Sequence, residues 1–173
     1  KDSFSRKMIE RFKLEKLSCD LIRTDGKNPP GLYSIEINEK GERSFSYWRD
    51  QSPSKNIFLG LKGKHLLDNI SNSNIFYYSG ISAGILDENQ KQQLIKVGAT
   101  ADVCAFDFNF RHQLHYDKNR SQSLFIEINN YVNINFVSYD DVKDLFKIKK
   151  PNEIFNLLNN EKNLILLRYK NLS

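Results

Sequence analysis

The sequence predicts an α/β fold in which helices flank a partial parallel sheet and a β-hairpin projects from that layer. From residue 74 onward, short apolar runs alternate with segments of helical periodicity. Strand–helix–strand at this spacing implies a parallel sheet with right-handed crossovers. Before residue 74, two alternating runs joined by a short turn indicate an antiparallel hairpin instead. With 173 residues, the chain can bury a sizeable core.

The charge pattern does not favour a nucleic-acid-binding protein. The formal net charge is +5, but the basic residues are scattered and interleaved with acids, as in residues 36–42 and 140–144. No stretch approaches the roughly 18 consecutive apolar residues of a membrane span. Cys19 and Cys104 lie far apart, which favours reduced thiols and a cytoplasmic protein over the alternative of a single disulfide.

The first predicted element is a helix that Asp2 or Ser3 can cap, with apolar positions at helical spacing from Phe4 to Phe12. A turn-rich segment, residues 25–31, separates this helix from the hairpin.

The hairpin consists of the alternating runs 31–38 and 42–49, joined by Glu39-Lys40-Gly41. Such a three-residue loop suits a bulge in which Gly41 takes the left-handed conformation. The loop then fixes the register, and the facing pairs are Asn38 with Glu42, Ile35 with Phe45, and Tyr33 with Tyr47. A slip of one residue would set these aromatic and aliphatic side chains against serines.

The α/β layer follows from residue 74. The predicted strands are 74–80, which we expect to be buried, 102–110, 132–137 and 163–169. The predicted helices are marked by Leu86, Leu94 and Val97, by Leu124, Ile128 and Tyr131, and by the runs 138–146 and 151–158. Asp87 can cap the first of these helices and Gly98 can end it.

Two weak motifs carry little chemistry. Residues 60–65 lack the spacing and the Ser or Thr of a nucleotide-binding loop, so we expect a lysine-rich surface turn. His112 and His115 could in principle share a metal ion, but no further ligands stand at a compatible spacing. A histidine pair in a loop without a ligand role is the favoured interpretation.

The run 106–116 is more informative. Continued alternation puts Asp107, Asn109 and Arg111 on one side of the strand and Phe106, Phe108 and Phe110 on the other. The polar trio would lie at the carboxyl end of a parallel strand, where open α/β sheets bind ligands. An ordinary strand end with solvated polar side chains is the alternative.

The run 41–52 is the second informative segment. Arg43, Phe45, Tyr47 and Arg49 share one face, and the register adds Tyr33 to it. Tyrosines beside an arginine form a suitable surface for a small anionic, hydroxylated ligand, because guanidinium pairs with carboxylate in a bidentate manner. The alternative is an aromatic cross-strand pair that only stabilises the hairpin.

These segments, in this order, resemble the middle of a ribokinase-like (PfkB) carbohydrate kinase. The matching runs are PPGLYSIEINEKGERSFSYWRDQS, IFYYSGISAGIL, VCAFDFNFRHQL and VNINFVSYDDVKDLF. The YWR triplet with its preceding GLY strand, together with the D-x-N-x-R strand end, is most similar to the 2-keto-3-deoxygluconate kinase branch. The resemblance weakens after about residue 147.

The resemblance implies a ribokinase-like fold and one partial kinase domain over residues 1–173. Its hairpin, about 31–50, would belong to a lid over the sugar site, and its α/β layer would cover about 74–173. The implied sugar-binding residues are Tyr33, Tyr47, Trp48, Arg49 and Arg111. The implied nucleotide- and phosphate-binding residues are Asp107, Asn109, Phe110, Ser138 and Asp141.

The implied activity is that of a cytoplasmic transferase of carbohydrate metabolism. It would move the γ-phosphate of ATP, with Mg²⁺, to 2-keto-3-deoxygluconate or a related sugar acid, and it would form homo-oligomers through the lid. No membrane or nucleic-acid partner and no metal ligand within the chain is expected.

Departures from the family pattern qualify this activity. The family's R-P-x-L-W is replaced by residues 111–115, RHQLH, and Val142 replaces the usual Glu. The glycine-rich N-terminal segment and the G-A-G-D motif with the catalytic Asp are not found, so we expect an internal fragment without turnover of its own. A non-catalytic sugar-acid-binding or interaction remnant is the alternative function.

Overall fold

The computed structural model describes residues 2–24, 26–159 and 161–169. The chain forms two compact units, Lys1–Gly63 and Lys64–Ser173. The predicted hairpin belongs to the first unit and the predicted α/β layer to the second.

The first unit begins with α1 (Ser3–Leu14), and Asp2 caps this helix as predicted. The Asp2 carboxylate accepts a hydrogen bond of 2.8 Å from the backbone N–H of Ser5. A bond from the Ser5 hydroxyl, together with this backbone bond, lowers the pKa of Asp2 to about 2. Part of the predicted turn at 25–31 lies outside the described residues, because Asp25 is not among them.

The hairpin of the first unit confirms the predicted register. Strand β1 (Leu32–Ile37) pairs antiparallel with β2 (Arg43–Trp48). Tyr33 faces Tyr47 and Ile35 faces Phe45. Gly41 has a φ of 77°, as the bulge requires, and the N–H of Asn38 donates to the carbonyl of Glu42 at 3.0 Å.

The remaining strands form one parallel sheet, and the remaining helices accompany it. The strands are β3 (Ile75–Ser79), β4 (Val103–Asp107), β5 (Ile134–Ser138) and β6 (Leu164–Arg168), and they pair in this order. The helices are α2 (Gly60–Ser71), α3 (Gly80–Ile85), α4 (Glu88–Gly98), α5 (Lys118–Asn129), α6 (Tyr139–Phe146) and α7 (Glu153–Leu158). The predicted parallel α/β layer is therefore confirmed.

The core lies against one face of this sheet. Phe106 and Phe108 are fully buried and contact the equally buried Phe125 of α5, with ring centroids 5.7 and 5.1 Å away. Cys104 points to the same core, and burial raises the pKa of its thiol to about 11. Burying a phenylalanine side chain contributes about 1.5–3 kcal/mol, so this cluster stabilises the layer.

The opposite face of the sheet is apolar but exposed, and the prediction of a buried strand at 74–80 was wrong. Ile75 is 70% and Tyr77 is 55% exposed, because β3 is an edge strand of the described sheet and only alternate side chains face the core. The exposed face continues across the sheet through Phe136, Leu164 and Leu166.

Several predicted helix boundaries are corrected by the structure. Residues 60–65, predicted as a surface turn, begin α2. Leu86 precedes the Asp87 cap of α4, and Tyr131 follows the end of α5. Gly98 is the last residue of α4, but its φ is not positive; a side chain there would crowd the Cys104 sulfur at 3.3 Å.

Among the described helices, none combines the length and the apolar character needed to cross a membrane.

Candidate functional site

The carboxyl ends of three neighbouring strands, β4, β5 and β6, open into one cleft of about 560 Å³. We call it the strand-end cleft. It is lined by Asp107, Asn109, Arg111, Phe136, Val137, Ser138, Asp141, Leu166, Leu167 and Arg168. Parallel strands place their carboxyl ends at one edge, which is where such sheets bind ligands.

The first wall of the cleft is the segment that follows β4. The strand was predicted to continue to residue 110, but it ends at Asp107, because Asn109 has a φ of 30° and leaves the extended conformation. The Asp107 carboxylate accepts the N–H of Asn109 at 3.1 Å, which closes this turn. The predicted alternation of environment nevertheless persists, since Phe108 and Phe110 are buried.

Asp107 is oriented from two sides. One carboxylate oxygen accepts the backbone N–H of Asn109, and the other accepts the hydroxyl of Tyr77 at 3.1 Å. Tyr77 and Asp107 lie on the same sheet face, because Ser79 of β3 faces Asp107 in the register. Partial burial and the bond to Asp107 raise the pKa of Tyr77 above its ordinary value.

The second wall is the start of α6. Asp141 lies in its first turn, and the nearest guanidinium nitrogen of Arg111 is 3.8 Å from its carboxylate. Burial raises the pKa of Asp141, although the guanidiniums of Arg111 and Arg168 act in the opposite direction. Arg111 also donates to the carbonyl of Phe110 at 3.0 Å.

Arg168 completes the cleft, and the sequence analysis did not select it. It is the last residue of β6, and its guanidinium donates to the Ser138 hydroxyl at 3.3 Å. A signal was available in the sequence, because the basic Arg168 is the penultimate residue of a strand predicted to lie parallel to the one before Ser138. Like residues 107–111, Arg168 lies at the carboxyl end of a predicted parallel strand, where open α/β sheets bind ligands.

The structure therefore brings together four of the five residues predicted to contact nucleotide or phosphate, and it places Arg111, which was predicted to bind the sugar, beside them. Asp107, Asn109, Arg111, Ser138 and Asp141 line the same cleft. Phe110 differs from them, because its ring is buried between His112, His115 and Phe125. A ligand contact of Phe110 would have to be made by its backbone, and its role remains a prediction.

The predicted sugar-binding residues of the hairpin form a surface of their own in the first unit. Tyr33 and Tyr47 have ring centroids 6.2 Å apart, and the Arg49 guanidinium lies 4.2 Å above the Tyr47 ring. Gly31 backs Arg49 so closely that a Cβ there would lie 2.9 Å from the Arg49 Cβ. We call Tyr33, Phe45, Tyr47 and Arg49 the hairpin face.

Trp48 is not part of the hairpin face. Successive strand residues point to opposite sides, so Trp48 lies beside Leu32 on the other side of the hairpin, where it is 61% exposed. Its predicted contact with a sugar remains untested.

The strand-end cleft combines opposite charges in a small volume. The guanidiniums of Arg111 and Arg168 can bind an anion such as phosphate, and the Ser138 hydroxyl can donate to it. The carboxylates of Asp107 and Asp141 can bind a cation that accompanies the anion. Within the described residues, no group of three or more His, Cys, Asp or Glu side chains could hold a metal ion without such an anion.

Comparison with known proteins gives a consistent result. Residues 1–167 match the model of the pfkB family carbohydrate kinases. The chain is 27% identical to a 2-dehydro-3-deoxygluconokinase of Haemophilus influenzae over 91% of its own length and 51% of the relative. It is 29% identical to the 2-dehydro-3-deoxygluconokinase of Escherichia coli K12 over 81% of its length and 47% of that relative. It thus spans about half the length of these curated relatives.

Solved structures show the same fold. A PfkB protein from Polaromonas superposes with a TM-score of 0.82 at 13% identity, over 96% of this chain and 57% of that one. A fructokinase from Xylella fastidiosa with bound ATP superposes with a TM-score of 0.73 at 19% identity, over 96% of this chain and 53% of that one.

Proposed function

Because the chain belongs to the pfkB family of carbohydrate kinases, we propose that it forms part of an ATP-dependent kinase that acts on 2-keto-3-deoxygluconate or a closely related sugar acid. The observation that carries the proposal is the strand-end cleft, in which Asp107, Asn109, Arg111, Ser138 and Asp141 converge at one edge of the sheet. The names of the relatives from Haemophilus and Escherichia support the sugar acid as the substrate.

In this proposal, the cleft binds the phosphates of ATP. Arg111 and Arg168 supply positive charge near Asp141, and Ser138 supplies a hydroxyl donor. Phosphoryl transfer requires positioning and charge stabilisation more than covalent participation of the protein. Residues fixed at strand ends meet this requirement, since the sheet holds their backbones in place.

The residues of the cleft also fit Mg²⁺. This ion prefers oxygen ligands and takes one or two carboxylates together with phosphate oxygens and water. Asp107 and Asp141 would supply such carboxylates. Bound there, Mg²⁺ would neutralise charge on the phosphates.

The hairpin face would bind the sugar acid. The Arg49 guanidinium can pair with a carboxylate, and its contact with the Tyr47 ring restricts its conformations before a ligand arrives. The exposed rings of Tyr33 and Tyr47 offer hydroxyl groups for hydrogen bonds with a polyol. The side chain of Trp48 points to the other side of the hairpin, so a contact of Trp48 with the same ligand would have to be made by its backbone.

Calorimetric titration of the 173-residue chain with ATP and Mg²⁺ tests the role of the cleft. We expect Arg111→Gln to weaken binding by about 10-fold or more, because a charge-assisted bond to phosphate is lost. Arg120→Gln is the matched control, since Arg120 is exposed on α5 and pairs with Asp117. Equal losses for both variants would contradict a specific phosphate site.

Titration with 2-keto-3-deoxygluconate, gluconate, ribose and fructose tests the substrate class. We expect the sugar acids to bind more tightly than the neutral sugars, and Arg49→Gln to remove that preference. Lys40→Gln, in the exposed loop of the same hairpin, is the control. A preference for ribose or fructose would contradict the proposed substrate.

Phosphorylation assays separate the kinase from the alternative, a non-catalytic sugar-acid-binding remnant. We expect the 173-residue chain alone to bind without turnover, and the longest product of its gene to phosphorylate the sugar acid. Turnover by the chain alone would overturn the first expectation. Binding without turnover by the longest product would favour the remnant.

We also propose that the hairpin forms the contact of a homo-oligomer. Its two strands form a sheet of their own, and both of its sides carry exposed apolar side chains, including Leu32, Phe45 and Trp48. Sedimentation analysis at increasing concentration should reveal dimers. A Phe45→Lys variant should shift the equilibrium to monomers.

A further inference from the structure

His115 is a buried titratable side chain that the proposed function does not use. It is 8% exposed, and its Nε2 lies 3.1 Å from the carbonyl oxygen of Gly80. Its ring stacks on Phe110 with centroids 5.2 Å apart and meets Phe125 edge-on at the same distance. The pair His112 and His115 was predicted to be without a ligand role, which leaves the burial of His115 to be explained.

The contacts of His115 join two parts of the strand-end architecture. Gly80 is the first residue of α3 and directly follows β3, whereas His115 ends the segment that leads out of β4. Gly84, one turn later in α3, leaves room for the ring, since a Cβ there would lie 2.8 Å from Nε2. A Cβ at Gly80 would collide with the carbonyl oxygen of Phe108. Both glycines therefore allow α3 to approach residues 108–115.

The segment 108–115 contains one cleft residue, Asn109, whose backbone conformation is unfavourable. Asn109 has a positive φ of 30°, which must be maintained by its surroundings. Phe108 and Phe110 anchor the segment in the core, and the Phe110 ring lies against His115. Arg111 directly follows Phe110, so its position depends on the same buried rings.

We propose that His115 is a positioning residue: its neutral imidazole, bonded to the Gly80 carbonyl, fixes residues 108–115 so that Asn109 and Arg111 face the strand-end cleft, and its protonation loosens this segment. The inference rests on the proposed function for what the strand-end cleft binds. The contact between His115 and Gly80 does not depend on that function.

The surroundings of His115 disfavour a positive charge. Burial is the main cause of a pKa below the ordinary value, while the Gly80 carbonyl acts in the opposite direction. Lys91 of α4 and His112 of the same segment add positive charge nearby, and Lys91 itself pairs with Glu88. The ring partners from α3 and α5, Gly80, Gly84 and Phe125, are uncharged.

The sign of the pH effect follows from this depressed pKa. The neutral ring contributes its full stabilisation above the ordinary histidine pKa of about 6.5, and that contribution is lost as the pH falls through the lower value of the folded protein. Acid should therefore loosen residues 108–115 before it unfolds the rest of the layer.

Hydrogen–deuterium exchange of the 173-residue chain tests the proposal directly. The reporters are the backbone N–H groups of Phe108, Leu114 and His115, which donate to carbonyls at 3.0, 2.9 and 3.1 Å. Corrected for intrinsic rates, their protection should fall by about 10-fold between about pH 7.5 and about pH 5. Protection of the β1–β2 amides should not change in parallel.

Three variants separate positioning from general stability. His115→Gln can still donate to the Gly80 carbonyl but does not titrate, so protection should stay within a few-fold of wild type and lose its pH dependence. His115→Phe keeps the ring contacts but leaves the carbonyl unpaired, and should lose about 10-fold of protection at every pH. His112→Gln is the control and should retain the wild-type profile.

The outcomes also separate this inference from the proposed function. A flat wild-type profile, or loss of the pH dependence in His112→Gln, would overturn the role of His115. A uniform loss of protection across residues 64–169 in His115→Phe would show a structural role only. Calorimetry on wild type should show weaker binding of ATP and Mg²⁺ at low pH, with less change in His115→Gln. Absence of binding at every pH would sink the proposed function and leave the exchange result intact.

Discussion

The two units of the chain are specified by different physical means. In the hairpin, the loop geometry at Gly41 and the facing of side chains fix the register, although almost every strand residue is exposed. In the α/β layer, a cluster of fully buried rings around Phe125 holds the elements together. A register can therefore be determined locally with little burial, whereas the strand-end cleft depends on a core.

The largest expected effect is in the layer. Phe125→Ala should lower the free energy of unfolding by about 3–5 kcal/mol, because its ring contacts Phe106, Phe108 and His115 with no solvent exposure. Urea unfolding followed by circular dichroism measures this loss, since most helices lie in the second unit. Phe155→Ala on α7, where the ring is 43% exposed, is the control and should cost much less.

An intermediate effect is expected at the hairpin loop. Gly41→Ala should cost about 1–2 kcal/mol, because a Cβ is strained at a positive φ even though no atom lies near it. Fluorescence of Trp48, the single tryptophan of the chain, reports on this unit. Gly41→Asn should restore most of the loss, since Asn tolerates the left-handed conformation. If Asn and Ala are equally harmful, the loop does not fix the register in this way.

The smallest effect should come from an aromatic residue of the hairpin face. Phe45→Ala removes a ring that stacks on Tyr47 at 6.1 Å but is 46% exposed, so we expect a cost of only about 0.2–1 kcal/mol. The same substitution is thus made at an exposed position, Phe45, and at a buried one, Phe125. A loss as large as that of Phe125→Ala would mean that the hairpin is stabilised by burial after all.

The sequence predicted the hairpin in full and the layer in outline, for physical reasons that particular residues show. A three-residue loop leaves one register that separates aromatic side chains from serines, so Tyr33 and Tyr47 could be paired without a structure. The end of β4 could not be predicted, because buried and exposed positions continue to alternate through Phe108 and Phe110 after the backbone has turned at Asn109.

The missed features share a cause as well. Glycines made 60–65 look like a turn and obscured α3, yet Gly63, Gly80 and Gly84 lie within helices where a neighbouring group approaches closely. At Gly80 and Gly84 the approaching groups belong to residues distant in sequence, which a single sequence does not reveal, whereas at Gly63 the approaching group is the backbone of Phe58. Arg168 could have been predicted from its position near a strand end, but it was not. The burial of His115 could not be predicted without knowledge of the fold.

The two cysteines, one in each unit, should react with an alkylating reagent at different rates. Cys104 is almost completely enclosed and its thiol resists ionisation, so an alkylating reagent can reach it only when the layer opens. Cys19 is only half-buried in the other unit and should react earlier. The delay between the labelling of Cys19 and that of Cys104 would measure how slowly the sheet opens when no denaturant is present.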